Sequence, residues 1–189
     1  MTYGIVVVGA SLGGLHAMSE LLDVLPDEVD LPVVLAQHRA ADSERHSLEA
    51  LLRGHTRRQV VEAGDKDAIR AQHVYVAPPD YHLLVEEEGA FALSTDERVQ
   101  YSRPSVDVLF ESAADAYGER TIGIVLTGAN ADGAAGLLAI RDVGGLAIVQ
   151  DPETAEARQM PDAAIQATAA DAILPVHEMG KFLLGLCVP

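Results

Sequence analysis

Cysteine, tryptophan and lysine are scarce in this 189-residue chain, which has one cysteine, no tryptophan and two lysines. A single cysteine excludes an internal disulfide and any cysteine-rich metal site. Cys187 falls in an apolar C-terminal helix pattern, so we expect an inert, buried thiol. The sequence also lacks an uncharged apolar stretch of about 18 residues and a basic segment before its first apolar run. It therefore predicts a cytoplasmic protein with no membrane insertion.

Positive charge is scarce as well, because 29 acidic residues outnumber 13 basic ones and give a formal net charge of −16. Such a surface repels nucleic acid and anionic lipid, so neither is expected as a partner. The alternative that the acidity serves only solubility stays open. Hydrophobic residues make up 49% of the chain, which is typical of a globular protein with a well-filled core.

Short apolar runs rich in β-branched residues alternate with helical patterns along the chain. These runs lack polar alternation, which is typical of strands covered on both faces in a parallel sheet. The pattern predicts a doubly wound α/β fold. Strands are expected at 4–9, 31–37, 73–78, 121–128, 146–150 and 171–175, and helices near 13–25, 43–53, 105–117, 132–143, 161–168 and 177–187.

One segment interrupts this alternation. Two apolar runs flank a Glu-Glu-Glu-Gly turn in residues 82–94, which predicts a β-hairpin at the edge of the sheet. No internal repeat, low-complexity tract or linker divides the sequence. We therefore predict a single domain over residues 1–189.

The first apolar run leads into a serine among glycines, at residues 9–14 (Gly-Ala-Ser-Leu-Gly-Gly). As a dinucleotide-binding loop the segment fails, because Ser11 stands at the second glycine and Gln37 and His38 end the second strand where a ribose-binding carboxylate is expected. The same residues fit G-x-S-x-G, in which a tight turn between a strand and a helix raises a nucleophilic serine. The helix beginning near Gly13 points its positive end at this turn, which suits a developing oxyanion. Such turns also occur in purely structural roles.

A nucleophilic serine needs a base to take its proton and an acid to orient that base. Ligands of open α/β sheets bind beyond the carboxyl ends of the strands, and His38 and Asp132 both follow strands there. They are therefore the candidate base and acid for Ser11. His82 is the rival histidine, and a purely structural role for Asp132, as the cap of a helix running from Gly133, is the alternative for that residue.

At these residues the sequence resembles the catalytic domain of the chemotaxis protein-glutamate methylesterases, the CheB family. The resemblance covers nearly the whole chain and implies a three-layer α/β/α domain with a mainly parallel sheet. It implies a hydrolase that removes methyl groups from glutamate methyl esters of chemoreceptors or related signalling proteins and often deamidates receptor glutamines, with no metal or cofactor. Ser11 would be the nucleophile, His38 the general base and Asp132 its orienting partner. The stretches that carry it are GASLGG (9–14), QH (37–38), AGD (63–65), VYVAPPDYH (74–82), RPSVDVLF (103–110), GIVLTGANADGAAGL (123–137) and MPDAAI (160–165).

The sequence departs from the family pattern close to each of these three residues. Leu12 stands where a threonine is usual, Arg39 and Ala40 replace a Met-Pro pair, and Ala129 replaces a methionine near the oxyanion site. The resemblance implies that backbone N–H groups near Leu12 or Ala129 hold the oxyanion. It also implies that Leu12, Gly13, Arg39 and Ala129 line the substrate site, so the departures change its lining.

Family members usually carry an N-terminal phosphoacceptor receiver domain. Here the first strand starts within five residues of Met1, which leaves no room for one in this sequence. We therefore expect the domain either to act alone or to be controlled by a separate regulatory protein. Two other hypotheses are a catalytically inactive signalling or binding module with the same fold, and a nucleotide-binding oxidoreductase, for which NAD binding is not expected.

Overall fold

The computed structural model describes residues 3–44 and 46–187, and a parallel sheet forms their centre. The strands are β1 (Ile5–Ala10), β2 (Val33–Gln37), β3 (Gln59–Glu62), β4 (His73–Val76), β5 (His82–Val85), β6 (Phe91–Ser94), β7 (Thr121–Val125), β8 (Leu146–Gln150) and β9 (Ala172–Leu174). The helices are α1 (Gly14–Val24), α2 (Ser47–Leu52), α3 (Val106–Tyr117), α4 (Ala134–Asp142), α5 (Gln159–Ala167) and α6 (Val176–Cys187).

Seven of these strands form one sheet in the order β3-β4-β2-β1-β7-β8-β9, and every neighbouring pair is parallel. The chain builds outward from β1 to one side first, and then crosses to the other side through β7. This reversal places a crevice beyond the carboxyl ends of β1, β2 and β7, where ligands of doubly wound sheets bind. The predicted α/β class and its parallel sheet are confirmed.

Helices cover both faces of the sheet, which gives the three layers. One face packs against α1, α2 and α6 through a cluster that includes Met18 and Met179. The other packs against α3, α4 and α5 through a cluster that includes Phe110 and Met160. All six residues of β1 are buried, as a run without polar alternation predicts. No helix within the described residues is long and apolar enough to cross a membrane.

Two features differ from the sequence-based expectation. Strand β3 was not predicted, because its four residues, Gln-Val-Val-Glu, carry polar groups at both ends and form a partly exposed edge strand. The hairpin of β5 and β6 is present, but it forms a separate antiparallel sheet and does not extend the edge of the large one. Strand β3 already pairs with β4 there, and the hairpin instead buries Leu83 and Phe91 in the cluster shared with α3.

Candidate active site

Ser11 lies on the turn between β1 and α1, and hydrogen bonds from its backbone to other elements fix that turn. Ser11 N donates to Thr127 O at 3.0 Å, and Ser11 O accepts from Gln37 Nε2 at 2.7 Å. Thr127 Oγ1 donates to Leu12 O at 2.9 Å. Gly13 closes the turn with a φ of 78°, a left-handed conformation that glycine adopts without steric cost. The turn is therefore held while the Ser11 hydroxyl makes no hydrogen bond to any described residue.

His38 follows β2 and is bound to Asp132 from the far side of β1. Its Nε2 lies 2.6 Å from Asp132 Oδ2, although 94 positions separate the two residues. Only 11% of the His38 side chain is exposed and none of the Asp132 side chain is. Ala10 O accepts from His38 N at 3.0 Å and fixes the backbone of the histidine beside the serine turn. The two predicted partners therefore meet, as their positions at strand ends indicate.

The Asp132 carboxylate sits at the N-terminus of α3. Its Oδ2 accepts from Val106 N at 2.7 Å, and its Oδ1 accepts from Asp107 N at 2.9 Å and Ser105 Oγ at 2.8 Å. Burial alone would raise the pKa of Asp132, but the hydrogen bond from His38 and the backbone N–H donors outweigh burial and hold it below its usual value. Asp132 is therefore an anion near neutral pH, and it keeps a proton on His38 Nε2.

Asp132 does not cap the helix that follows it, contrary to that alternative, and its carboxylate binds the first N–H groups of α3 instead. The N-cap of α4 is Gly133, with no side-chain capping bond. Instead, Asp107 Oδ1 accepts from Gly133 N and Gly136 N at 2.8 Å each. The aspartates thus cap each other's helices across the site. Burial raises the pKa of Asp107 to about 6, and the charge of Asp132 adds to the rise while the Gly136 N–H opposes it.

Replacing Asp107 with asparagine is expected to remove a loss of stability that the wild-type protein shows as pH rises from about 4 to about 6. The folded-state pKa of about 6 exceeds the ordinary 3.8, so the folded protein binds more protons than the unfolded chain between these values. In wild type this group therefore lowers the free energy of unfolding as pH rises through that window. Urea unfolding of both proteins at about pH 4 and about pH 7 measures it. An equal pH-dependent change in the two proteins would contradict the prediction.

The second ring nitrogen of His38 faces two further polar groups. Ser102 Oγ lies 3.2 Å and Asn130 Nδ2 lies 3.5 Å from His38 Nδ1. Asn130 Oδ1 accepts from Asp132 N at 3.2 Å, so the amide nitrogen of Asn130 is the atom that faces the imidazole ring of His38. Within the described residues, the hydroxyl that lies within hydrogen-bond distance of the His38 ring is that of Ser102. No hydrogen bond joins His38 to the Ser11 hydroxyl in this part of the chain. Sequence reasoning missed Ser102, whose one signal is its place directly before the RPSVDVLF stretch.

An open cleft of about 740 Å³ lies beside Ser11 and His38. A Cβ built on Gly128 would lie 3.0 Å from the Ser11 Cβ, so the loop after β7 touches the serine turn. No described residue accepts a hydrogen bond from the N–H groups of Leu12, Gly13 or Ala129. Those of the turn lie at the positive end of α1 and can hold a developing oxyanion. The lining residues are Ser11, Leu12, Gly13, Gly14, Leu15, His16, Ser19, Gln37, His38, His55 and Glu156.

The remaining predicted lining residues divide between the cleft and other elements. Leu12 is 56% exposed and lies in the cleft wall. Arg39 departs from the expectation that it lines the site, because its guanidinium donates to Glu44 O at 2.6 Å and Ser47 Oγ at 2.9 Å. These bonds hold its charge against the start of α2. Ala129 is exposed on the loop after β7, next to the contact with the serine turn.

The rival histidine, His82, is buried away from the cleft. Its Nδ1 accepts from Ser105 N at 3.2 Å and its Nε2 lies 3.0 Å from Glu97 O. Both ring nitrogens are therefore committed to the backbone, and its side chain is only 1% exposed. His82 joins the hairpin to the start of α3 and has no path to Ser11.

An uncommitted serine on a strand-to-helix turn, a histidine bound to a buried aspartate and free N–H groups beside them are what acyl transfer through a serine requires. This arrangement is compatible with the class of hydrolytic enzymes that act on carboxylic esters, and the comparisons assign the protein to that class. The family model of the CheB methylesterases matches residues 6–183, and the chain belongs to that family.

Three comparisons describe its relatives. A putative protein-glutamate methylesterase/protein-glutamine glutaminase of Leptospira interrogans is 45% identical over 98% of this chain and 96% of its own length. The protein-glutamate methylesterase FrzG of Myxococcus xanthus is 36% identical over 96% of this chain, which spans 54% of FrzG. The crystal structure of the Thermotoga maritima CheB methylesterase catalytic domain matches with a TM-score of 0.92 at 32% identity, over 98% of this chain and 100% of that one.

Proposed function

We propose that the protein is a protein-glutamate methylesterase, a serine hydrolase that removes methyl groups from glutamate γ-methyl esters of chemoreceptors or related signalling proteins. The observation that carries this is the contact between His38 and the buried Asp132 at the mouth of the cleft that holds Ser11. The names of the relatives supply the substrate class. An open cleft suits a protein substrate, whose glutamate side chain reaches the serine from a larger surface.

In the acylation step, Ser11 Oγ attacks the γ-carbonyl carbon while its proton passes to His38 Nδ1. Asp132 keeps Nε2 protonated, so Nδ1 carries the lone pair that accepts this proton, and it stabilises the imidazolium that forms. Collapse of the tetrahedral intermediate breaks the bond to the methoxy oxygen, which leaves as methanol with the proton from His38. Water then attacks the acyl-enzyme and loses a proton to His38. The bond between the acyl carbon and Ser11 Oγ breaks, Ser11 Oγ takes that proton back from His38, and the glutamate carboxyl group is released.

The charge that develops on the carbonyl oxygen needs hydrogen-bond donors that are in place before the reaction. The N–H groups of Leu12 and Gly13 lie one and two residues after the nucleophile, at the positive end of α1. The N–H of Ala129 lies on the loop that touches the serine turn through Gly128. We assign these three N–H groups as the candidate donors, so the side chain of Leu12 does not enter this part of the mechanism.

Replacing Ser11 with alanine is expected to lower kcat for a γ-methyl glutamyl peptide by at least about 10³-fold. The assay measures methanol released from a methylated receptor peptide. As a matched control, Ser94→Ala removes a half-buried hydroxyl on β6 that accepts from Asp96 N and should keep full activity. A reactive phosphonate should label wild type on Ser11. Activity that persists in Ser11→Ala would assign the nucleophile elsewhere.

Glutamine deamidation is a second candidate activity, favoured by the double name of the Leptospira relative. It uses the same attack at a γ-carbonyl, with ammonia in place of methanol as the leaving group. A peptide with glutamine at the target position tests it by ammonia release. The hypothesis of a catalytically inactive module gains no support from the comparisons, and absence of both phosphonate labelling and methanol release would favour it.

A further inference from the structure

The contact between Ser102 and His38 has no part in the mechanism proposed so far. His38 Nδ1, the nitrogen that must take the proton of Ser11, lies 3.2 Å from Ser102 Oγ. Asn130 Nδ2, at 3.5 Å, is a pure donor and cannot accept a bond from the protonated ring. A serine hydroxyl can do both, since it donates to the neutral ring and, after rotation, accepts from the imidazolium.

The segment that carries Ser102 is held rigidly on both sides of it. Ser102 and Val99 exchange two backbone hydrogen bonds, of 2.8 and 3.2 Å, which close a tight turn. Gln100 and Tyr101, the two central residues, have φ values of 47° and 67°. Residues other than glycine rarely adopt this left-handed backbone region, and they remain in it only where the surrounding structure fixes them.

Two side-chain anchors supply that fixation. Gln100 Nε2 donates to Asp107 Oδ2 at 3.1 Å, on the first turn of α3. Arg103 donates to Asp80 Oδ1 at 2.8 Å and to Thr95 O at 2.6 Å. The hydroxyl of Ser102 is thus presented to the histidine by a strained, doubly anchored turn, whereas the Ser11 hydroxyl makes no hydrogen bond to a described residue.

We propose that Ser102 is a positioning residue for the general base, a role that rests on the proposed esterase function. In the neutral state its hydroxyl donates to Nδ1 of His38 and holds the ring at the angle that Asp132 sets from the other side. Because Nδ1 has one lone pair, the Ser102 hydroxyl turns away when Ser11 donates to that nitrogen, and it accepts a bond from Nδ1 once the imidazolium has formed. Hydrogen bonds to charged groups are the stronger kind, so Ser102 stabilises the protonated ring in the transition state.

Replacing Ser102 with alanine is expected to lower kcat for the methyl ester about tenfold, because one hydrogen bond to a charged group is lost. KM should stay unchanged, since Ser102 lies outside the lining of the cleft. Ser102→Thr keeps the hydroxyl and should restore most of the loss. The matched control is Ser94→Ala. Loss of activity together with a raised KM, or without rescue by threonine, would indicate a general structural defect and overturn the proposal.

A spectroscopic readout tests the contact without relying on turnover. The ¹⁵N chemical shift of neutral His38 Nδ1 should move in Ser102→Ala toward that of an imine nitrogen with no hydrogen bond. If the wild-type protein has no esterase activity but the chemical shift still moves in Ser102→Ala, the proposed function is refuted and the contact is supported. An unchanged shift would overturn the contact itself. Phosphonate labelling of Ser102 and not Ser11 would also overturn the proposal, because Ser102 would then be the nucleophile.

Discussion

Asp132→Asn is expected to lower kcat for the methyl ester by about 10⁴-fold, the loss seen when the orienting aspartate of a Ser-His-Asp enzyme is made neutral. An amide nitrogen directed at His38 would offer a donor to Nε2 and would force the proton of the ring onto Nδ1. His38 could then no longer accept the proton of Ser11. The mutation also removes the negative charge that stabilises the imidazolium.

The surroundings of Asp132 oppose either orientation of an asparagine. One orientation places the amide nitrogen against Val106 N, and the other places it against Asp107 N, because each carboxylate oxygen accepts from one of these backbone groups. Some stability of the start of α3 is therefore lost as well. Activity is best normalised to folded protein, measured by urea unfolding under the assay conditions.

Asp107→Asn is the matched control for this prediction. It removes one negative charge from a second buried carboxylate with a similar helix-capping role, but Asp107 makes no hydrogen bond to His38. Because Asp107 Oδ2 also anchors Gln100 on the turn that carries Ser102, the kcat of Asp107→Asn should fall by no more than the loss of about tenfold expected for Ser102→Ala. Equal losses in the two variants would mean that the helix caps, and not the histidine contact, limit activity, and would contradict the role proposed for Asp132.

Much of the fold could be predicted from the sequence because the parallel strands are buried on both faces. Residues of β1 and β7 form apolar runs with no polar interruption, and such runs have few alternative placements. Strand β3 was missed because an edge strand needs no such run. The placement of the hairpin of β5 and β6 could not be predicted. It depends on β3 occupying the edge of the sheet beside β4 and on the apolar surface that α3 offers to the hairpin.

The candidate site was predictable to the extent that its residues end strands. Ser11, His38 and Asp132 each follow a strand of the same sheet, so topology alone brings them to one crevice. The exchange of caps between α3 and α4 was not predictable, because it depends on two helix N-termini meeting across the site. The position of Ser102 depends on the turn at Val99 and its anchors. Arg39 shows that neighbourhood in sequence does not by itself place a residue in the site, because its side chain turns toward α2 although it follows His38 directly.

The double variant Ser11→Ala/His38→Ala is expected to lose no more activity than the worse of its two single variants. In the proposed mechanism, His38 acts on the substrate through the proton of Ser11 and through the water that attacks the acyl-enzyme. Neither step exists when Ser11 is alanine. Members of a catalytic unit are accordingly non-additive, and the residual rate, about 10³-fold above that in water, comes from binding and the oxyanion donors.

The same reasoning extends this cycle to Ser102. Because Ser102 is proposed to act through the imidazole, Ser102→Ala should have no further effect on kcat once His38 is alanine. The control pair is Ser11→Ala with Ser94→Ala, which are expected to combine as independent changes. Steady-state methanol release measures every variant. Multiplicative losses for Ser11 and His38 would show that the histidine acts on the ester independently of the serine, and the site would then be using water as its nucleophile.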